Sequence, residues 1–237
     1  MSMIRRIPME GVMNLRDLGG FACPGGCTRW GCIYRSAALN SATPGDVEKL
    51  RLRGVKLVLD LRNPQEVRAR PDTLIPGAQN LNFPLLGDYP LDRIPVNDTV
   101  RSTKSLHRMY RLVLRHGGEG ILGAVRALLA CDGAVLFHCA AGKDRTGIFT
   151  MLLLSLAGVD WVDILADYTV SELYLEGYTA DISGSNVHNM RMLRSFLEKE
   201  YGSPREYLLG LGASEGELEA FRRRFVCSEG DTQQSCW

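Results

Sequence analysis

The chain has 237 residues, 45% hydrophobic and 23% charged, and a formal net charge of +1. That length supports one sizeable core, and the near-neutral balance excludes a global pull toward nucleic acid or an anionic bilayer. No apolar run is long enough for a transmembrane helix, and the first residues lack the apolar stretch of a secretory signal. The expected location is therefore the cytoplasm, export by a route not readable from sequence being left open.

Up to Ser36 the chain is rich in glycine and alternates apolar with polar residues, which predicts a short antiparallel hairpin. Cys23, Cys27 and Cys32 fall around its Pro24-Gly25-Gly26 turn. With no nearby histidine as a fourth ligand they read as incidental thiols rather than a metal site, a redox pair of Cys23 with Cys27 being the alternative. Seven cysteines, an odd number, speak against a complete disulfide framework. Thr43-Pro44 predicts a capped helix start and Gly54 its end. Val55 to Leu61 is almost continuously apolar, as in a strand covered on both faces, and Asn80 to Leu85 is a shorter candidate. From Ser102 to His116, Leu106, Met109, Tyr110 and Val113 share one helical face, which suits either a core face or a lid. Ile121 to Leu129 predicts a second helix and Ala134 to Phe137 a buried strand. Beyond Gly158 the chain reads as mostly helical. Ser203-Pro204 and Ser214-Glu215-Gly216-Glu217 are helix starts, and Leu218, Phe221 and Phe225 form the last apolar face. Residues 228–237 read as a frayed tail on one domain spanning 1–237. Strands alternating with helices predict an α/β fold, with ligands beyond the carboxyl ends of the strands.

The chemistry concentrates in His138-Cys139-Ala140-Ala141-Gly142-Lys143-Asp144-Arg145-Thr146-Gly147, between that strand and the apolar run Ile148 to Leu154. Strand, tight loop and helix follow in order. A loop of this length can wrap its N–H groups round a tetrahedral oxyanion, and the first turn of a helix adds unpaired donors and the positive end of a dipole. The same field favours a thiolate, which makes Cys139 a candidate nucleophile. Arg145 supplies a planar fork for two phosphoryl oxygens, and Gly142 and Gly147 permit close backbone approach. Two other classes use similar parts: a non-catalytic module that holds a phosphorylated partner, and cysteine loops for sulfur or arsenate chemistry. Neither calls for the cysteine, the closing arginine and the following threonine together.

The segment resembles the His-Cys-x5-Arg-Ser/Thr signature of cysteine-dependent phosphatases. Three further stretches, Asn14-Leu15-Arg16-Asp17-Leu18-Gly19-Gly20, Tyr34-Arg35-Ser36-Ala37-Ala38-Leu39 and Val58-Leu59-Asp60-Leu61-Arg62, narrow the family. Together with Gly-Lys-Asp-Arg-Thr inside the loop, they resemble the bacterial and fungal atypical tyrosine phosphatases that also act on phosphoinositides. The likeness runs from about Asn14 to Tyr168. It implies a mostly parallel central sheet flanked by helices, with a helical C-terminal part. It also implies a phosphomonoester hydrolase of tyrosine or dual specificity, working through a phosphocysteine without metal or cofactor. The implied partners are phosphorylated proteins or phosphoinositides, with no nucleic acid and no stable membrane insertion.

Carried onto this chain, the resemblance makes Cys139 the nucleophile and Arg145 the transition-state clamp. Ala140, Ala141, Gly142, Lys143, Thr146, Asp60 and Arg62 contact substrate, Thr146 also bonding the sulfur, and His138 fixes the loop. The general acid is less plain, because the chain has no Trp-Pro-Asp. Asp72, Asp88, Asp92 and Asp98 lie in loop-like stretches and their spacing selects none. The resemblance favours Asp144, with Asp60 next. Lys143 reads either as a second cation for substrates with several phosphates or as a solvated lysine tuning the local field.

Overall fold

A computed structural model describes residues 4–86, 103–175 and 187–228. Its central sheet has strand order β1-β4-β7-β5-β6, formed by β1 (Arg16–Asp17), β4 (Ile33–Ser36), β7 (Ala134–His138), β5 (Val55–Asp60) and β6 (Gln79–Asn82). Only the edge strand β1 runs antiparallel; the other pairings are parallel. β7 lies in the middle because all five of its residues, Ala-Val-Leu-Phe-His, can be buried. Val135 and Phe137 face the larger apolar cluster, and Ala134 and Leu136 the smaller one. The parallel register sets Ser36, His138 and Asp60 side by side at the strand ends.

The smaller cluster packs under α1 (Pro44–Leu52). Its capping box is complete, since Thr43 Oγ1 accepts from the Asp46 N–H while Asp46 Oδ2 accepts from the Thr43 N–H. The larger cluster is closed by α3 (Thr103–His116), α4 (Gly118–Ala130), α5 (Asp144–Ala157), α6 (Trp161–Thr169), α8 (Val187–Tyr201), α9 (Pro204–Gly210) and α10 (Glu215–Phe225). α5 is apolar all round and buried along almost its whole length, so it can lie only at the centre of that layer. Leu106, Tyr110 and Val113 of α3 belong to the same core. That face of α3 is a core face.

Three elements depart from the sequence reading. β6 ends at Asn82 and lies at the sheet edge. A short α2 (Pro64–Ala69) follows Asn63, whose N–H donates to Glu66 Oε2 at 3.0 Å, with Pro64 at its first position. The hairpin of β2 (Ala22–Cys23) and β3 (Gly26–Thr28) gains a third strand, β8 (Val226–Ser228), so Ser228 pairs with Gly26. A three-residue strand carries no periodic signal of its own, which is why its partner across the chain was needed to reveal it. The remaining helix, α7 (Ser171–Tyr174), follows α6 directly. Residues 229–237 lie outside the described residues. Among those described, no helix is long and apolar enough to cross a membrane.

Candidate active site

β7 delivers Cys139 to the carboxyl end of the sheet, and α5 starts at Asp144, so the loop between them spans Cys139 to Lys143. Four successive carbonyls of this loop are tied outward. Cys139 O meets His138 Nδ1 at 3.1 Å, and Ala140 O accepts from the Ala38 N–H at 3.0 Å. Ala141 O accepts from Asn14 Nδ2 at 3.2 Å; Gly142 O accepts from the same nitrogen at 3.0 Å and from the Arg35 guanidinium at 2.8 Å. With the carbonyls turned out, the N–H groups of the loop and of the first turn of α5 turn inward, above Cys139. Gly142 closes the bend at φ 66°, where a Cβ would lie 2.1 Å from Ser36 O. A Cβ on Gly147 would meet the Tyr168 ring at 2.9 Å. Both glycines are there for space.

A layer of buried charge holds this cradle. Asp167 on α6 receives Arg16 Nε at 2.7 Å and an Arg35 NH group at 2.6 Å. Burial alone would raise the Asp167 carboxyl, but the two guanidinium groups outweigh it and hold it below the usual 3.8. Burial, then the neighbouring Arg16 charge, pulls Arg35 down to about 10. Arg16 also holds the Asn14 side chain, at 2.5 Å, so the residue that ties down the loop is itself tied down. Asn14 sits at φ 60°, in the left-handed region, which asparagine enters more readily than other side chains.

Arg145 is aimed by Glu66 of α2 through a two-pronged bridge, 2.5 and 2.8 Å. Burial works against both charges, yet the pair prevails: the Arg145 guanidinium is raised and the Glu66 carboxyl lowered. Glu66 uses one N–H of each terminal nitrogen. A guanidinium has five, so Nε and the second hydrogens remain to meet an oxyanion.

Asp144 opens α5, and its Oδ1 accepts a hydrogen bond from the Tyr110 hydroxyl at 2.6 Å. The carboxyl is buried at the start of α5, and its charge acts on the neighbouring Arg145. Lys143 is fully buried, 3.3 Å from Glu172 Oε1. Burial lowers its ammonium, with Asp144 and Glu172 pulling the other way. It is therefore not the solvated lysine that was one of its sequence readings. Thr146 Oγ1 is buried and makes no hydrogen bond among the described residues, the Cys139 sulfur included.

Asp60 and Arg62 belong to a supporting network behind His138. Arg62 forks onto Asp60 (2.7–3.0 Å), reaches Asp72 at 2.8 Å and donates to Arg70 O at 2.8 Å. Arg62 lines the cleft, and these bonds occupy four of its five N–H groups, leaving one on Nη1. His138 Nε2 lies 3.1 Å from Asp72 Oδ2, off the alignment of a hydrogen bond. Burial raises the Asp72 carboxyl, and His138 and Arg62 bring it below its ordinary value. Asp60, Asp72 and His138 present three ligand atoms within 4.8 Å of one another, but a metal there would have to displace the Arg62 guanidinium. Asp88, Asp92 and Asp98 lie outside the described residues. The cysteines Cys23, Cys27 and Cys32 are free thiols.

A cleft of about 380 Å³ opens beside the cradle, between Ala140, Ala37 and Ala38 on one wall and Arg62, Glu66 and Arg70 on the other. Asn14, Arg16, Arg35, Glu66, Tyr110, Asp167 and Tyr168 were not assigned roles from sequence. Three of them, Asn14, Arg16 and Arg35, stand in the stretches that carry the family resemblance; the rest carry no local signal.

A cysteine at the floor of an amide cradle, with a preset arginine, defines an enzyme that handles a tetrahedral oxyanion. The sequence profile described as the tyrosine phosphatase family matches residues 7–227, and the chain belongs to that family. It is a phosphatase. It is 31% identical to a tyrosine-protein phosphatase of Nostoc commune, over 81% of this chain and 73% of that one. It is 26% identical to the triple specificity protein phosphatase PtpB of Mycobacterium tuberculosis, over 92% and 98% of the two chains. Among solved structures, P. aeruginosa TpbA in complex with pTyr is similar at 16% identity and a TM-score of 0.38, over 83% of this chain and 96% of that one.

Proposed function

We propose that the chain hydrolyses phosphotyrosine in proteins through a phosphocysteine intermediate, with activity extending to phosphoserine, phosphothreonine and phosphoinositides. The observation that carries the mechanism is the set of outward-tied carbonyls from Cys139 to Gly142, which leaves the amides converged above one sulfur. In the first step Cys139 Sγ attacks phosphorus. The S–P bond forms as the P–O ester bond breaks, and Asp144 gives its proton to the departing oxygen. In the second step water attacks the phosphocysteine. The Asp144 carboxylate takes a proton from the water, phosphate leaves, and the sulfur is restored as an anion. The loop amides and Arg145 hold the three equatorial oxygens throughout. The buried Thr146 hydroxyl is a donor for the departing sulfur.

The wider substrate range rests on the cleft. The Arg70 side chain has no carboxylate partner among the described residues, whereas Arg62 and Arg145 are each paired. It supplies positive charge for a second anionic group beside the scissile phosphate, and the name of the mycobacterial relative agrees with broad specificity. The test is a panel of an aryl phosphate, phosphopeptides and phosphoinositides, with Cys139→Ser as control. Cys139→Ser is expected to abolish all turnover; turnover surviving it would refute the phosphocysteine. Arg70→Ala is expected to raise KM several-fold for doubly anionic substrates alone, and a uniform change would remove Arg70 from the reading.

A further inference from the structure

We infer that Tyr110 is the positioning residue of the general acid, holding the Asp144 carboxyl out of the phosphate cradle; this rests on Asp144 as the acid. Tyr110 lies on α3, which contributes nothing else assigned to the site. It is fully buried, its hydroxyl is 2.6 Å from Asp144 Oδ1, and it is equally close, 2.6 Å, to the Tyr168 hydroxyl of α6. A phenol has one proton to give. Burial first, then the Asp144 and Tyr168 neighbours, raise Tyr110 well above the usual phenol range, so it stays a donor. Its proton goes to Asp144, and the Tyr168 hydroxyl must then donate to the Tyr110 oxygen. The chain of donation runs one way, from Tyr168 to Tyr110 to Asp144.

That direction solves a problem of placement. Asp144 is the first residue of α5, where a carboxylate is drawn to the unpaired N–H groups of the first turn. Those are the groups that must hold phosphate. Left to itself, the side chain would compete with substrate and set negative charge beside Cys139. Tyr110 commits Oδ1 to an outside donor and stops the carboxyl from turning inward. The aromatic ring fills core on the apolar face of α3, while its hydroxyl reaches the chemistry.

The experiment compares Tyr110→Phe, Tyr168→Phe, Asp144→Asn and the double variant Tyr110→Phe with Asp144→Asn. Substrates are nitrophenyl phosphate, whose leaving group needs little acid help, and unsubstituted phenyl phosphate, whose leaving group needs much. Circular dichroism confirms folding of each protein. Tyr110→Phe is expected to lower kcat about tenfold or more on phenyl phosphate and under about threefold on nitrophenyl phosphate, within the usual reach of general acid catalysis. In the Asp144→Asn background the same change should add no further loss on phenyl phosphate. Tyr168→Phe should show the same split, more weakly. It also serves as the test if Tyr110→Phe fails to fold, an even loss on both substrates then counting against the inference. Equal losses from Tyr110→Phe, with Asp144→Asn showing the split, would reduce Tyr110 to packing. No split in Asp144→Asn would overturn the acid assignment itself, and the role of Tyr110 with it.

Discussion

Replacing Asp167 with Asn tests whether a buried anion holds the catalytic loop together. The change is nearly isosteric and removes one charge. In the native protein Oδ1 takes Arg16 and Oδ2 takes Arg35, at 2.7 and 2.6 Å, with all three side chains buried. The amide can still accept from one guanidinium, but its NH₂ group faces the other, and two buried cations lose their counter-ion. Breaking a buried pair in this way costs about 3–5 kcal/mol. With a urea m-value of about 3 kcal/mol/M for a chain of this size, the midpoint should fall by about 1–1.7 M. Activity should fall as well, because Arg35 also holds Gly142 O. The effect has a sign in pH. The folded Asp167 carboxyl lies below its ordinary 3.8, so the folded state releases that proton more readily than the unfolded chain. Its contribution is complete above about pH 4 and is lost as pH falls through the lower folded value. Urea unfolding of wild type and variant, followed by tryptophan fluorescence from pH 7 downward, should therefore show a gap that narrows in acid. A gap below about 1 kcal/mol at pH 7 would mean that the arginines find other partners and that the charged layer is not what holds the loop.

Two further substitutions test the cradle directly. Glu66→Gln should leave the fold intact, since both partners are partly solvated at the cleft, and lower kcat/KM on an aryl phosphate about ten- to a hundredfold as Arg145 loses one prong of its aim. An unchanged or raised kcat/KM would show instead that Glu66 competes with substrate for Arg145. Gly142→Ala adds left-handed strain of about 1–2 kcal/mol and forces the loop away from Ser36. It should cut turnover and vanadate affinity together; activity within threefold of wild type, measured at saturating substrate, would sink the argument.

The catalytic loop was legible in sequence because its parts are contiguous: one strand end, one bend and one helix start carry Cys139, Gly142 and Arg145 within seven residues. The neighbouring strand ends were also legible, since two nearly continuous apolar runs, Val55 to Leu61 and Ala134 to Phe137, have few other ways to be buried. What was not legible is everything that tunes the loop from a distance. Glu66 meets Arg145 across 79 positions, and Tyr110 meets Asp144 across 34. Neither meeting leaves a mark on spacing or composition. Tyr110 even reads as an ordinary core residue on the apolar face of its helix, which it is, apart from its hydroxyl. Lys143 misleads in the opposite sense. Within a signature loop a lysine suggests the mouth of a pocket, but this one is buried, with its ammonium 3.3 Å from Glu172 Oε1.

The two halves of the site meet at α6. Successive helical residues point about 100° apart, so the adjacent Asp167 and Tyr168 serve different neighbours. Asp167 binds the arginines that shape the cradle, and Tyr168 hydrogen-bonds the tyrosine that holds the acid. Tyr168 also packs its ring against Gly147, where α5 leaves no room for a Cβ. A rotation of α6 would therefore shift loop shape and acid orientation together, and neither can be adjusted alone. This explains why Gly147 matters although it touches no substrate: a side chain there would push α6 outward and disturb both halves at once. Gly147→Ala should accordingly lower kcat on activated and unactivated aryl phosphates alike, unlike Tyr110→Phe, and steady-state kinetics on that pair of substrates would separate the two effects.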